Sequence, residues 1–191
     1  AVGAHPSYPD PEHFGREILN MQPGELAESL TEQIHLVRRI CEEEEVALHH
    51  VKPHGALYNH AANDRFISEL ILKVLEETAP EVYWMGLANS ISEEVANGSA
   101  FRFISEGFAD RQYEVDGTLR SRSKQGAVLK PDEVLKQVEE IAINQRVDAT
   151  GWLPLNVQSI CLHSDTEGAV TLAREINKHL VSKGIQIAAV Q

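Results

Sequence analysis

Only two cysteines, Cys41 and Cys161, occur in the 191 residues. They form no metal-spaced pair and no disulfide framework, which agrees with a reducing compartment and makes the cytoplasm the expected location. Basic residues are also scarce: Lys and Arg total 17 against 29 Asp and Glu, a formal charge of -12. The negative charge is spread along the chain apart from the run Glu42 to Glu45, so nucleic acid and anionic membrane are disfavoured as partners. No apolar stretch approaches the ~20 residues that span a bilayer, and no charged-then-apolar leader opens the chain. Several chemical signatures are missing as well. There is no G-x-x-x-x-G-K-[ST] phosphate loop, no G-x-G-x-x-G fingerprint, no H-E-x-x-H helix and no G-x-S-x-G elbow. Serine-hydrolase chemistry therefore has no support.

What is present fits one soluble globular domain over residues 1–191, with 42% hydrophobic content to fill a core. The opening "AVGAHPSYPD" reads as a buried strand running straight into a polar loop, and no Met precedes it. An N-terminal piece is therefore expected to be missing. Short apolar runs alternate with longer helical patterns. Strands are expected at Ala1 to Ala4, Val46 to Val51, Val82 to Gly86, Phe101 to Ser105, Ser159 to Leu162 and Ile185 to Val190. Helices are expected from about Glu25 to Glu44, from an N-cap at Asn63 to Pro80, from Pro131, and from Asp165 to about Gly184. This alternation argues for parallel β/α units.

Four polar clusters lie where an expected strand hands over to the next loop: "HPSYPD" from His5, "HVKPHGALYN" from His50, "SEGFADRQY" from Ser105 and "CLHSD" from Cys161. In parallel β/α folds such strand ends collect binding and catalytic groups. His13, His35, His60 and His179 read as surface or helix-face residues, and His49 and His50 as structural. Lys52 and His54 stand out, because Pro53 fixes the backbone between them and Gly55 permits a tight turn. Lys52 can supply charge to a carboxylate or phosphate, and His54 can act as proton shuttle or metal ligand; a capped, solvated turn uses the same residues. Asp10, Glu106, Asp110 and Asp165 are the acidic candidates, with Glu106 expected just after its strand. Arg111, Arg120 and Arg122 are the cations best placed to meet an anion. Asp110 and Arg111 also read as a structural ion pair. His163 and Asp165 form an H-x-D pair that can orient a base, bind a divalent metal or cap the next helix. Spacing alone points to an α/β enzyme using His, carboxylate and Lys or Arg chemistry, with hydrolysis the leading reaction.

The ordered blocks "GAHPSYPD", "FGR", "HVKPHGALYN", "FADRQY", the D-G-x-L-x-x-R element from Asp116 to Arg122, "GAVL" and "CLHSD" resemble the LamB/YcsF family of 5-oxoprolinase A subunits over essentially the whole chain. That resemblance implies an irregular seven-stranded β/α barrel of the glycoside hydrolase/deacetylase type, here without its N-terminal strands. It implies ATP-dependent opening of 5-oxoproline to L-glutamate, with ATP and Mg as co-substrate and with partner subunits B and C. Under that activity His54, Lys52, Glu106, Asp110, His163 and Asp165 are the expected catalytic residues. His5, Asp10, Tyr58, Arg111 and Arg122 are the expected groups for substrate or phosphate, and no metal set can be named.

The sequence departs from the family pattern in three places. The D-L-N-x-D-x-G-E and N-x-A-C-G-x-H-A-G-D blocks have no counterpart, so about three quarters of the family domain is expected here. Were this the whole natural product, its barrel would not close normally, and exposed strand edges would favour association with another chain, a second copy included, or instability. Ser164 replaces the Gly of H-G-D, and Glu17 stands where a second Arg is common. Two other readings stay open: a metal-dependent amide or carbohydrate deacetylase using His5, His54 or His163, and a non-catalytic binding or assembly subunit.

Overall fold

The computed structural model describes residues 1–166 and 168–190. Tertiary contacts divide the chain into two compact units, Ala1–Ile104 and Ser105 onwards. The first contains strand β1 (Val2–Ala4), helix α1 (Pro23–Glu43), β2 (Leu48–Val51), α2 (Gly55–Asn63), α3 (Arg65–Thr78), β3 (Tyr83–Leu87), α4 (Ile91–Gly98) and the first residues of β4 (Phe103–Phe108). The second holds the rest of β4, then α5 (Pro131–Asn144), β5 (Arg146–Asp148), β6 (Trp152–Pro154), β7 (Ser159–Cys161) and α6 (Ala169–Ser182).

In the first unit β1 pairs with β2 and β2 with β3, both in parallel, with Ala4 opposite Val51 and Val51 opposite Trp84. α1 starts at Pro23, whose missing N–H costs nothing in a first turn. A capping box between Gln22 and Glu25 satisfies the orphan amides there. Leu26, Leu30, Ile34 and Cys41 recur on one face and are buried. Each such aliphatic side chain stabilises the fold by roughly 1.5–3 kcal/mol relative to exposure. They share a core with Val51, Leu57, Leu75, Val82 and Trp84.

In the second unit β4 pairs in parallel with β7, with Glu106 opposite Ser159 and Phe108 opposite Cys161. β5 and β6 form a separate antiparallel hairpin. Ala109, Val134, Val138, Leu172 and Leu180 make the core between the β4 exit, α5 and α6.

The expected α/β alternation with parallel pairing is present, and five of the six expected strands form. The sixth does not: 185–190 adopts no strand and is mostly exposed. Ile185 instead packs on the α6 core, its N–H donating to Leu180 O at 3.0 Å after the left-handed Gly184. The cap expected at Asn63 sits one residue later. Asn63 ends α2, and the Asp64 carboxylate accepts from Ile67 N–H at 3.0 Å. β4 extends three residues beyond its expected end, so Glu106 lies inside the strand instead of after it. α2, α4, β5 and β6 have no counterpart in the expected elements.

Candidate functional site

The first unit gathers His5, Asp10, Lys52, His54 and Tyr58 around the ends of β1 and β2. Lys52 N–H donates to Ala4 O at 2.9 Å, continuing the parallel ladder past both strands. The Lys52 carbonyl accepts from His5 Nδ1 at 2.6 Å. His5 Nε2 lies 3.0 Å from His54 Nδ1, and His54 Nε2 donates to Phe14 O at 2.9 Å. The two rings meet edge-on at 4.8 Å, and Phe14 closes on His54 at 5.1 Å. The expected turn at Gly55 is the first residue of α2, with His54 as N-cap. Gly55 has φ +58°, and a Cβ there would lie 2.5 Å from Gly15 O, which accepts from Ala56 N–H at 3.0 Å. Only glycine allows both the dihedral and the approach.

Lys52 Nζ lies 5.7 Å from the centre of the buried Tyr58 ring. Asp10 faces inward along its own loop: its Oδ1 accepts from His13 N–H at 3.2 Å and meets His13 Nδ1 at 3.0 Å. His50 is half-buried over Gly3, where a Cβ would come within 2.2 Å of its Nε2. Burial, then the neighbouring His49 and Lys52, push its imidazole down to about 4, so it stays neutral at physiological pH.

The second unit builds a tighter cluster. Asp110 has no exposed surface. Its Oδ1 accepts from His163 Nδ1 at 2.9 Å, and its Oδ2 accepts from His163 N–H at 3.3 Å and from the Thr166 hydroxyl. Burial pushes this carboxyl up, but the hydrogen bonds from His163 and Thr166, with the electrostatics of His163 and Arg111, outweigh it and hold the group at about 2. An ionised Asp110 can only accept, so the hydrogen between the two groups sits on His163 Nδ1. The ring is stacked on Phe108 at 5.5 Å.

Arg111 is 3% exposed. Its Nε lies 3.3 Å from His163 Nδ1 and its Nη2 3.9 Å from Asp165 Oδ1. Its Nη1 is buried without a hydrogen-bond partner among the described residues. Arg122 Nη1 donates to Asp165 Oδ2 at 2.8 Å. That bond, ahead of the opposing effect of burial, lowers the Asp165 carboxyl. Two guanidinium groups thus share one carboxylate. Arg122 reaches this place because the chain after Tyr113 folds back through antiparallel bridges Tyr113 to Leu119 and Arg111 to Val128. Arg120, by contrast, pairs with Glu114 at 3.3 Å. Glu106 is 2% exposed, inside β4.

Two further residues hold this cluster in place. Gln137 Nε2 on α5 donates to Phe108 O and Arg111 O, both at 2.8 Å, with Ala109 O at 3.3 Å. The Tyr113 hydroxyl accepts from Phe108 N–H at 2.8 Å, and burial first of all pushes that phenol up. Among the described residues no group of three or more His, Cys, Asp or Glu is placed to hold a metal ion. None of their helices is long and apolar enough to cross a membrane.

Comparison with known proteins agrees with the sequence motifs. The chain is 39% identical over 191 residues to the 5-oxoprolinase A subunit of Histophilus somni, covering 98% of this chain and 77% of that protein. It is 37% identical to the protein of the same name from Neisseria meningitidis serogroup C, covering 98% and 78%. The crystal structure of the lactam utilization protein from Thermus thermophilus superimposes with a TM-score of 0.90 at 30% identity, covering 100% of this chain and 77% of that one. The LamB/YcsF family model matches residues 1–191, and the chain belongs to that family.

Proposed function

We propose that this chain acts as the A subunit of a multi-subunit 5-oxoprolinase, with B and C subunits, and takes part in ATP-dependent hydrolysis of 5-oxoproline to L-glutamate. The observation that carries this reading is the Asp110–His163 pair beside a buried Arg111 whose Nη1 lacks an acceptor among the described residues. It joins a base to a guanidinium that still has one buried donor unspent. The names of the relatives, 5-oxoprolinase A subunit and lactam utilization protein, support the substrate class. A cytoplasmic location, Mg-bound ATP and an irregular seven-stranded barrel domain of the glycoside hydrolase/deacetylase type belong to the same proposal.

A five-membered lactam is an unactivated amide, so coupling to ATP is chemically reasonable: phosphorylation of the amide oxygen would make the ring carbonyl carbon electrophilic. That transfer releases ADP; water then adds at the carbon, the C–N bond breaks as the nitrogen takes up a proton, and the acyl phosphate so formed is cleaved by a second water to glutamate and phosphate. His163 Nε2 takes the proton from water while Asp110 holds its tautomer. Arg111 and Arg122 hold the substrate carboxylate or the phosphoryl oxygens through charge-assisted bonds.

With B and C subunits and Mg-ATP present, His163→Ala is expected to lower kcat for glutamate formation by about 100-fold or more, the usual range for losing a general base. Arg111→Gln is expected to raise KM for 5-oxoproline most. Wild-type rates in both variants, or ATP consumption indifferent to 5-oxoproline, would sink the reading.

A further inference from the structure

We propose that Arg111 and Arg122 form a seat for the carboxylate of the substrate, and that Asp165 occupies this seat in the free chain as a tethered competitor, which the incoming carboxylate displaces. The inference rests on the reading of this cluster as the substrate site. Its starting point is the donors of Arg111. A guanidinium has only donors and stays charged when buried. The His163 Nδ1 hydrogen is committed to Asp110, so that nitrogen has no lone pair for Arg111 Nε, 3.3 Å away. Nη1 has no partner among the described residues, and Nη2 stops 3.9 Å from Asp165 Oδ1, beyond hydrogen-bond reach. A buried guanidinium is therefore left without a well-placed acceptor among the described residues. Buried polar groups are ordinarily paired, and buried charges above all.

What is missing is an acceptor, not charge. Burial first, and Arg122 next, work against the Arg111 charge, while the carboxylates of Asp110 and Asp165 favour it. Two guanidiniums thus already face two carboxylates. Asp110 spends its oxygens on His163 and Thr166. Asp165 spans the two cations but satisfies one: its Oδ2 accepts from Arg122 at 2.8 Å, and its Oδ1 falls short of Arg111.

A free carboxylate carries no tether and can bring one oxygen to each guanidinium, in the forked geometry that arginine favours. It cannot simply join Asp165 there, because a third carboxylate adds a like charge to a balanced cluster. Exchange asks little of the fold. The side chains of Asp165 and Arg122 are 45% and 44% exposed, and an ion pair that open to solvent is weak, so rotation of surface groups suffices. The arrangement also discriminates. A lactam with a carboxylate can replace Asp165, whereas one without it has nothing to offer in exchange, which makes Asp165 a specificity-determining residue.

Calorimetry of the full chain tests the seat with three probes: 5-oxoproline, plain pyrrolidinone, which is the same ring without the carboxylate, and inorganic phosphate. Asp165→Asn is expected to bind 5-oxoproline about fivefold more tightly than the wild type, since it removes an exposed ion pair and a nearby like charge. Glu175→Gln, an equal change of charge at an exposed position of α6, should leave that affinity unchanged, and pyrrolidinone should respond to neither variant. Affinity for 5-oxoproline that is undetectable, unchanged or weaker in Asp165→Asn, or that rises as much in Glu175→Gln, overturns the proposal. Tightening of phosphate alone overturns the assignment to a carboxylate. Should Asp165→Asn fail to fold, the wild type decides: saturation with 5-oxoproline should move the 13C signal of the Asp165 carboxyl at constant pH, and an unmoved signal overturns the displacement. Binding requires neither ATP nor other subunits, so failure here and failure of the turnover assay are separate results.

Discussion

Asp110 shows how one buried side chain ties stability to chemistry. Three donors converge on it, from the His163 ring, the His163 backbone and Thr166. Its folded value of about 2 lies below the ordinary 3.8, so its contribution is complete above pH 4 and is lost as pH falls through about 2. The difference is worth on the order of 2 kcal/mol. Asp110→Asn presents an amide to groups that donate, and an NH₂ has no use for a donor. We expect that variant to lose about 2 kcal/mol or more at pH 7 and to show a flatter stability curve between pH 4 and 2 than the wild type. Urea melts at stepped pH measure both. An unchanged acid limb would mean that Asp110 is not held as the geometry indicates.

At the scale of elements, α5 does more than cover a sheet. Gln137 sits on its buried face between Val134, Val138 and Ile141, and spends its amide on carbonyls of the β4 exit. Gln137→Leu leaves those carbonyls without their donor and is expected to cost about 1–3 kcal/mol. Amide exchange in 108–112 should accelerate more than in the first unit; uniform acceleration would argue against a local role. Gly55→Ala is a second test, at the start of α2. With φ +58° and Gly15 O 2.5 Å from the new Cβ, it should cost over about 1 kcal/mol and shift the Phe14 and Gly15 amides, as a silent substitution would not.

These elements also show where a sequence is readable. β1, β2, β3, β7, α1 and α5 stand out because apolar period and end signals coincide, as with Pro23 and Pro131 at helix starts. α2 is hidden by Pro53 and Gly55, which read as a loop although the helix begins at that glycine. β5, Arg146–Asp148, sets one apolar residue between two charged ones and β6, Trp152–Pro154, ends in a proline, so neither presents an apolar run. The run 185–190 has strand propensity but no ladder to join. At the polar clusters, strand-end position picks out Lys52, Asp110 and His163. It cannot show that both nitrogens of His54 are occupied, since that depends on Phe14, forty residues away in sequence. A signal for Gln137 is present: a polar residue on an otherwise apolar helix face.

Across the whole molecule, acid acts on the two units through different groups. In the first, neutral His50 lies below its ordinary 6.5, at about 4, so its contribution is complete above pH 6.5 and is lost as pH falls through about 4. In the second unit Asp110 keeps its contribution down to a lower pH. The two tryptophans separate these effects, since Trp84 is buried in the first unit and Trp152 is half-exposed in the second. With Trp152→Phe, fluorescence reports Trp84 alone, and its urea midpoint should fall between pH 6.5 and 4. Adding His50→Gln removes the group that must charge, so that slope should shrink by roughly 2 kcal/mol over the interval, allowing for solvent around a half-buried ring. If the midpoint falls as steeply without His50, other groups in the first unit govern its acid response, and burial of this imidazole over Gly3 is not what sets it.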